Sequence, residues 1–119
     1  MSEKSNNQKE LSELFKTLMH PVRLEILELL RQREECVCHM EVQLKYRQAY
    51  ISQHLAVLRE AGLIQDRRDG WNIFYRVTRP EIYMVIDQAR YFTGQALNYS
   101  RQVERLADCP CPKCAGETG

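Results

Sequence analysis

Over the first third of the chain the apolar side chains fall at helical spacing. Leu11, Leu14, Phe15, Leu18 and Met19 share one face of a helix. Ser5 with Gln8, or Asn7 with Glu10, suits a capping box at its start. His20-Pro21 ends it, because proline disfavours a helical residue before it and favours the first turn of a new helix. Val22, Ile26, Leu27, Leu29 and Leu30 predict a second amphipathic helix running to about Arg33, and Cys38–Leu44 a short third one. Lys45-Tyr46 then predicts a tight turn. From about Arg47 to Ala61 a fourth helix carries a narrow stripe of Ile51, Leu55 and Leu58, within ~60° of one another at about 100° per residue. Gly62 suits a left-handed cap after it, with Leu63 as the accompanying apolar contact. The period then shortens. Ile64–Asp66 and Asn72–Val77 predict strands, and Asp69-Gly70 between them is a hairpin signal.

Pro80 opens a last helix expected to run through about Asp108. Its inner seam is Ile82, Ile86, Ala89, Thr93, Ala96, Ser100, Val103 and Ala107. About 28 residues at ~1.5 Å each reach ~42 Å, longer than the ~30 Å diameter of a small domain. Much of that seam would overhang a monomer, and the small residues Gly94, Ala96 and Ser100 permit close approach of a second helix. A homodimer through the terminal helices answers both points; a helix that bends or stops near Gly94 is the alternative. The length of 119 residues suits one domain. It divides into a folded unit over residues 1–108 and a Cys-rich tail over residues 109–119. No apolar run approaches the ~20 residues of a membrane span, since Glu25 and Glu28 already interrupt Leu24–Leu30. The opening Met1-Ser2-Glu3-Lys4-Ser5-Asn6-Asn7 offers no apolar core for a signal peptide. The expectation is a cytoplasmic protein with no membrane partner.

Charge changes the picture more than composition does. Residues 1–44 hold six basic side chains against eight acidic ones, residues 45–79 seven against three, and residues 80–119 four against five. The formal net charge of +1 therefore conceals a basic centre, the mark of a surface facing a polyanion.

A mainly α chain with a small β-hairpin wing, in this order, is a winged helix-turn-helix. A helix ~10–12 Å across fits the major groove of DNA, where short polar side chains read base edges. On the fourth helix Gln48, Ala49, Ser52, Gln53 and Ala56 lie away from the apolar stripe and present small or hydrogen-bonding groups. Gln53 is the foremost candidate. Arg47, Arg59, Arg67, Arg68 and Arg76 are placed to neutralise phosphates, with the wing tip Arg67–Trp71 reaching the backbone or minor groove. Tyr50 and His54 flank the stripe, so each either faces DNA or packs half-buried. Trp71 either stacks on DNA or props the hairpin, and Arg76 either meets phosphate or pairs with a carboxylate.

The run Tyr50-Ile51-Ser52-Gln53-His54-Leu55-Ala56-Val57-Leu58-Arg59-Glu60-Ala61-Gly62-Leu63-Ile64 is similar to the recognition helix of the ArsR/SmtB family of bacterial repressors. Leu18-Met19-His20-Pro21-Val22-Arg23-Leu24-Glu25-Ile26-Leu27 resembles the start of that family's second helix. The likeness covers roughly residues 8–105. It implies a winged-helix homodimer that binds an imperfect palindromic operator in double-stranded DNA and releases it when an effector binds.

Five cysteines fall in two clusters, Cys36 with Cys38, and Cys109, Cys111 and Cys114. An odd count without a signal peptide argues for reduced thiols rather than a disulfide framework. Glu35-Cys36-Val37-Cys38-His39 resembles the metal-binding motif of the family's arsenic and cadmium/lead branches. Two thiolates two residues apart chelate a soft ion, whose binding displaces the thiol protons. His39 either adds an imidazole or caps the helix. Two departures matter. The arsenic branch commonly has a third Cys where this chain has Glu41, and the cadmium branch draws on an N-terminal Cys that is absent before Cys36. The obvious further donor is Cys109-Pro110-Cys111-Pro112-Lys113-Cys114, whose prolines hold the thiols in an extended turn and whose Cys111-x-x-Cys114 is half a zinc site. Three thiolates suit As(III) or Pb(II), and four suit Cd(II) or Zn(II), in one shared site or two separate ones. The family's zinc site on the last helix is not expected, since no His follows His54. The alternatives are a thiol redox or persulfide sensor of the same fold, or a structural zinc site. An oxidoreductase built on Cys111-x-x-Cys114 does not fit, because that motif normally opens a helix in a β/α unit. The chain reads as no enzyme.

Overall fold

His20-Pro21 divides the first two helices as its chemistry requires. In a computed structural model that describes residues 2–95, α1 (Ser2–Leu18) stops before it and α2 (Pro21–Leu29) starts on the proline. His20 is extended (φ −157°, ψ 123°), and its Nδ1 accepts the Val22 N–H at 3.3 Å, so the imidazole caps α2. The second helix ends at Leu29, four residues before the expected Arg33. The chain leaves it early because Glu35–Cys36 forms a strand, β1, that sequence periodicity gave no sign of. Next comes α3 (Val37–Leu44), closed by Lys45 in the left-handed region (φ 63°).

The fourth helix, α4 (Gln48–Glu60), ends in a Schellman motif. Gly62 (φ +80°) donates its N–H to Arg59 at 3.0 Å, and Leu63 donates to Leu58 at 3.1 Å while its side chain is buried. β2 (Ile64–Asp69) and β3 (Asn72–Val77) form the wing around Gly70 (φ +64°), β2 running three residues further than expected. The sheet has three strands in the order β1-β3-β2, all antiparallel, with Cys36 opposite Phe74 and Arg67 opposite the same Phe74.

The last helix corrects the long strut. α5 spans Ile82–Phe92, and Gly94 (φ +83°) closes it. The Gly94 N–H reaches the Tyr91 carbonyl at 3.1 Å and the Gln95 N–H reaches Arg90 at 2.8 Å. Eleven residues extend only ~16 Å, within the span of one domain. The alternative of a stop near Gly94 is the one found. Ala96, Ser100, Val103 and Ala107, and the tail thiols Cys109, Cys111 and Cys114, lie outside the described residues.

The core lies where α2, α3, α4 and α5 meet. Ile26, Leu27, Met40, Ile51 and Leu58 have no exposed surface at all. A polar clamp ties α2 to α5: Arg31 makes paired bonds to Asp87 (2.8 and 3.1 Å) and to Glu28 (2.9 and 3.2 Å) and stacks on Tyr83 at 4.3 Å. The Tyr83 hydroxyl donates to the Leu27 carbonyl at 2.5 Å, and burial pushes its phenol above the ordinary range. No helix among the described residues is long and apolar enough to cross a membrane.

Candidate nucleic-acid interface and thiol pair

The apolar stripe of α4 faces inward as its spacing requires, with Ile51, Leu55 and Leu58 at most 1% exposed. That orientation turns Gln48, Ala49, Ser52 and Gln53 to the surface, with Ala56 half-buried and Arg47 exposed at the helix start. Arg59 is exposed at the other end, 3.6 Å from Asp66. On the wing, Arg67 and Arg68 are exposed, and Arg76 bonds Gln65 at 2.9 Å rather than a carboxylate. Trp71 is fully exposed at the hairpin tip, so it does not prop the hairpin.

Of the two alternatives for His54, the packed one is found. It is 6% exposed, and its Nδ1 accepts the Arg23 Nε–H at 3.1 Å. The His20 ring lies tilted beside it at 4.3 Å and Tyr50 meets it edge-on at 4.8 Å. Its position one turn after Ile51 and next to Leu55 puts it on the inward face of α4.

Arg67 is the most constrained of the wing cations. Its guanidinium lies over the Phe74 ring at 4.9 Å and is paired with Glu34, the Nε–Oε2 separation being 3.5 Å. Glu34 stands two residues before Cys36. Nothing in the sequence marked the pair, because its members lie far apart in the chain and meet only when β1 joins the wing.

The thiols are close neighbours. Cys36 is buried in β1, Cys38 is half-buried in the first turn of α3, and their Sγ atoms are 2.8 Å apart. Beside them a small pocket of about 150 Å³ is lined by Cys36, Cys38, Gln48, Trp71 and Ile73, among others. It joins the thiols to the first residue of α4 and to the wing tip. His39 is 1% exposed, and its Nδ1 is engaged by the equally buried Glu35 carboxylate, which Arg33 also approaches at 3.2 Å. Among the described residues no three or more His, Cys, Asp or Glu side chains converge on one point where a metal could sit. The two sulfurs stand there as an adjacent pair.

A family model for bacterial regulatory proteins of the arsR family matches residues 20–66, the stretch from the His20 cap through α4 to the wing. The biofilm growth-associated repressor of Agrobacterium fabrum is 42% identical over 78 residues, covering 66% of this chain and 67% of that protein. The chain belongs to the ArsR family.

The crystal structure of the transcriptional repressor BigR from Xylella fastidiosa superposes on this ArsR-family chain with a TM-score of 0.68 at 36% identity, covering 80% of this chain and 96% of that one. The arsenical resistance operon repressor of Escherichia coli is 45% identical over 67 residues, 56% of this chain and 57% of that protein. The ArsR-family chain is thus a winged helix-turn-helix transcriptional regulator and not an enzyme. Its matched segment contains both the exposed polar face of α4 and the Cys36/Cys38 pair.

Proposed function

We propose that this ArsR-family repressor works as a homodimer that reads an imperfect palindromic operator with α4 and releases it when a thiophilic ion binds Cys36 and Cys38. The observation that carries the reading is the contact between the two sulfurs at 2.8 Å, in a pocket that also touches Gln48 and Trp71. An ion held there presses on the start of the reading helix and on the wing tip together. Gln48, Ser52 and Gln53 are the base-reading candidates, and Arg47, Arg59, Arg67 and Arg68 the phosphate contacts. As(III), Pb(II), Cd(II) and Zn(II) are the ions whose softness suits such donors. The ligands beyond Cys36 and Cys38 would come from Cys109, Cys111 and Cys114, on the same chain or its partner. The name of the arsenical resistance relative supports this class of effector.

A second copy is the proposed occupant of the apolar surface between α1 and α5. A groove of about 340 Å³ there is lined by Phe15, Leu18, Met19, Leu24 and Ile86, among others. Phe15 and Met19 in its lining are more than half exposed, as are Tyr91 and Phe92 at the end of α5. Large aromatic and Met side chains in one patch favour burial against a partner.

The short sulfur contact favours one further reading, a redox switch. Peroxide would take two electrons and two protons from the thiols, leaving a Cys36–Cys38 disulfide and two waters. Operator binding measured against added ion, and separately against peroxide, distinguishes the readings. Release by the ion that a chelator reverses supports the first; release by peroxide that dithiothreitol but no chelator reverses supports the second. Affinity unmoved by either contradicts both.

Glu34 bears on the same surface, because phosphate must displace it from Arg67. Glu34→Gln should therefore tighten operator binding about two- to fivefold and steepen its salt dependence, by up to about one unit of log K against log salt. Anisotropy titrations at several salt concentrations check this. Unchanged or weaker binding by the variant contradicts a phosphate role for Arg67.

A further inference from the structure

His54 sits on the reading helix yet faces away from any groove, and its hydrogen bonding fixes its protonation. Nδ1 accepts from Arg23, so the ring proton of the neutral imidazole rests on Nε2. That Nε2 is buried and has no hydrogen-bond partner among the described residues, an unusual cost for a polar atom. Arg23 in turn donates from Nη1 to the Thr17 carbonyl at 3.0 Å, at the end of α1. One guanidinium therefore joins the end of α1, the start of α2 and the middle of α4. Among the described residues, the titratable and charged groups seen against His54 are His20 at the head of α2, Arg23 on α2 and Tyr50 on α4; α1 is linked to it by the Thr17 carbonyl, through Arg23.

Resting on the repressor reading above, we infer that His54 is a positioning residue whose neutral ring holds α4 in its operator-reading pose, and that its protonation releases the operator. A proton on Nδ1 removes the acceptor that Arg23 uses and sets N–H against N–H. It also places a cation beside Arg23 and against the His20 ring. The strain is relieved when α4 moves away from the head of α2, which misaligns Ser52 and Gln53 on their neighbouring positions. Burial, then His20 and Arg23, hold the His54 ring neutral below its ordinary titration range. The sign follows. A lowered value in the folded state means that the clamp is intact at and above pH 6.5 and is lost only as pH falls through that lowered value.

The test is operator affinity from pH 8 to pH 5.5 in the full chain. Wild type should weaken as pH falls through the lowered His54 titration, by up to roughly tenfold for each unit separating that titration in DNA-bound and free protein. General protonation acts the other way, since added positive charge tightens binding to DNA. His54→Leu, which lacks the acceptor, should bind weakly at every pH. His54→Asn, whose Oδ1 takes the place of Nδ1, should rescue binding and flatten the profile. Wild-type affinity that rises or stays level on acidification overturns the inference, as does a His54→Asn profile with the wild-type slope. Ring 15N shifts of the DNA-free wild type test the clamp without any variant: a neutral ring with its proton on Nε2 at pH 7.5 is expected. A cationic ring or an Nδ1–H tautomer overturns the inference. A chain whose ring behaves as expected but which prefers no palindrome at any pH defeats the repressor reading instead.

Discussion

Leu58→Ala should lower the free energy of unfolding by about 2–5 kcal/mol, the range for emptying a buried leucine site that relaxes only in part. Leu58 has no exposed surface and closes the inward stripe of α4 with Ile51 and Leu55. It also supplies the carbonyl that accepts Leu63 at 3.1 Å in the cap leading to the wing, so helix and hairpin share this anchor. A domain of this size commonly has only ~5–15 kcal/mol in all, so the variant falls near the limit of folding. Urea denaturation followed by circular dichroism checks it, read as a lower midpoint at unchanged slope. A change below about 1 kcal/mol would show that α4 is not packed as described.

Cys36→Ser should abolish the response of operator affinity to ion. In the wild type, saturating ion is expected to weaken operator binding about 5–150-fold, the usual range of coupling between two sites. The hydroxyl is a hard donor that does not replace a thiolate for a soft ion, so the ratio of affinities without and with ion should fall to about one. The position matters as much as the chemistry. Cys36 pairs with Phe74 in the sheet, and Phe74 carries Arg67 on its ring, so a shift at the sulfur reaches the wing through one strand. Titration by anisotropy under anaerobic conditions gives the ratio. A Cys36→Ser protein that still releases the operator with the wild-type ratio contradicts a site at this pair. Replacing Cys109, Cys111 and Cys114 together separates one shared site from two, since a shared site loses its response and a separate one keeps it.

The parts of the fold legible in the sequence are those fixed by local chemistry. His20-Pro21 ended one helix and started the next because proline's ring and missing N–H leave little choice. Gly62-Leu63 announced a cap, and Asp69-Gly70 a turn, because each needs positive φ at one glycine. The stripe on α4 set which of its side chains stay outside. What stayed hidden depends on partners distant in sequence. β1 is two residues long, too short for any period, and exists only because β3 has an edge to pair with. The apolar seam after Pro80 continues past Gly94 in the sequence, but three hydrogen bonds at Thr93, Gly94 and Gln95 close the helix there. At the thiols, spacing alone brought Cys36 and Cys38 together, whereas the engagement of His39 by Glu35 required knowing that both are buried. His54 was ambiguous for a related reason: its place on the helix wheel borders the stripe, and only Arg23 from α2 decides which way it turns.

On the proposed function, two copies of α4 read DNA with the face carrying Gln53. The decisive measurement is competition binding of the purified chain to a library of inverted-repeat duplexes, with its mass in solution recorded alongside. A dimer should select one imperfect palindrome over its scrambled sequence by at least ~10³-fold. Gln53→Ala should cost about 1–3 kcal/mol of that preference at one base pair in each half-site. A monomer that binds scrambled and palindromic duplexes equally, with Gln53→Ala indistinguishable from wild type, would contradict it.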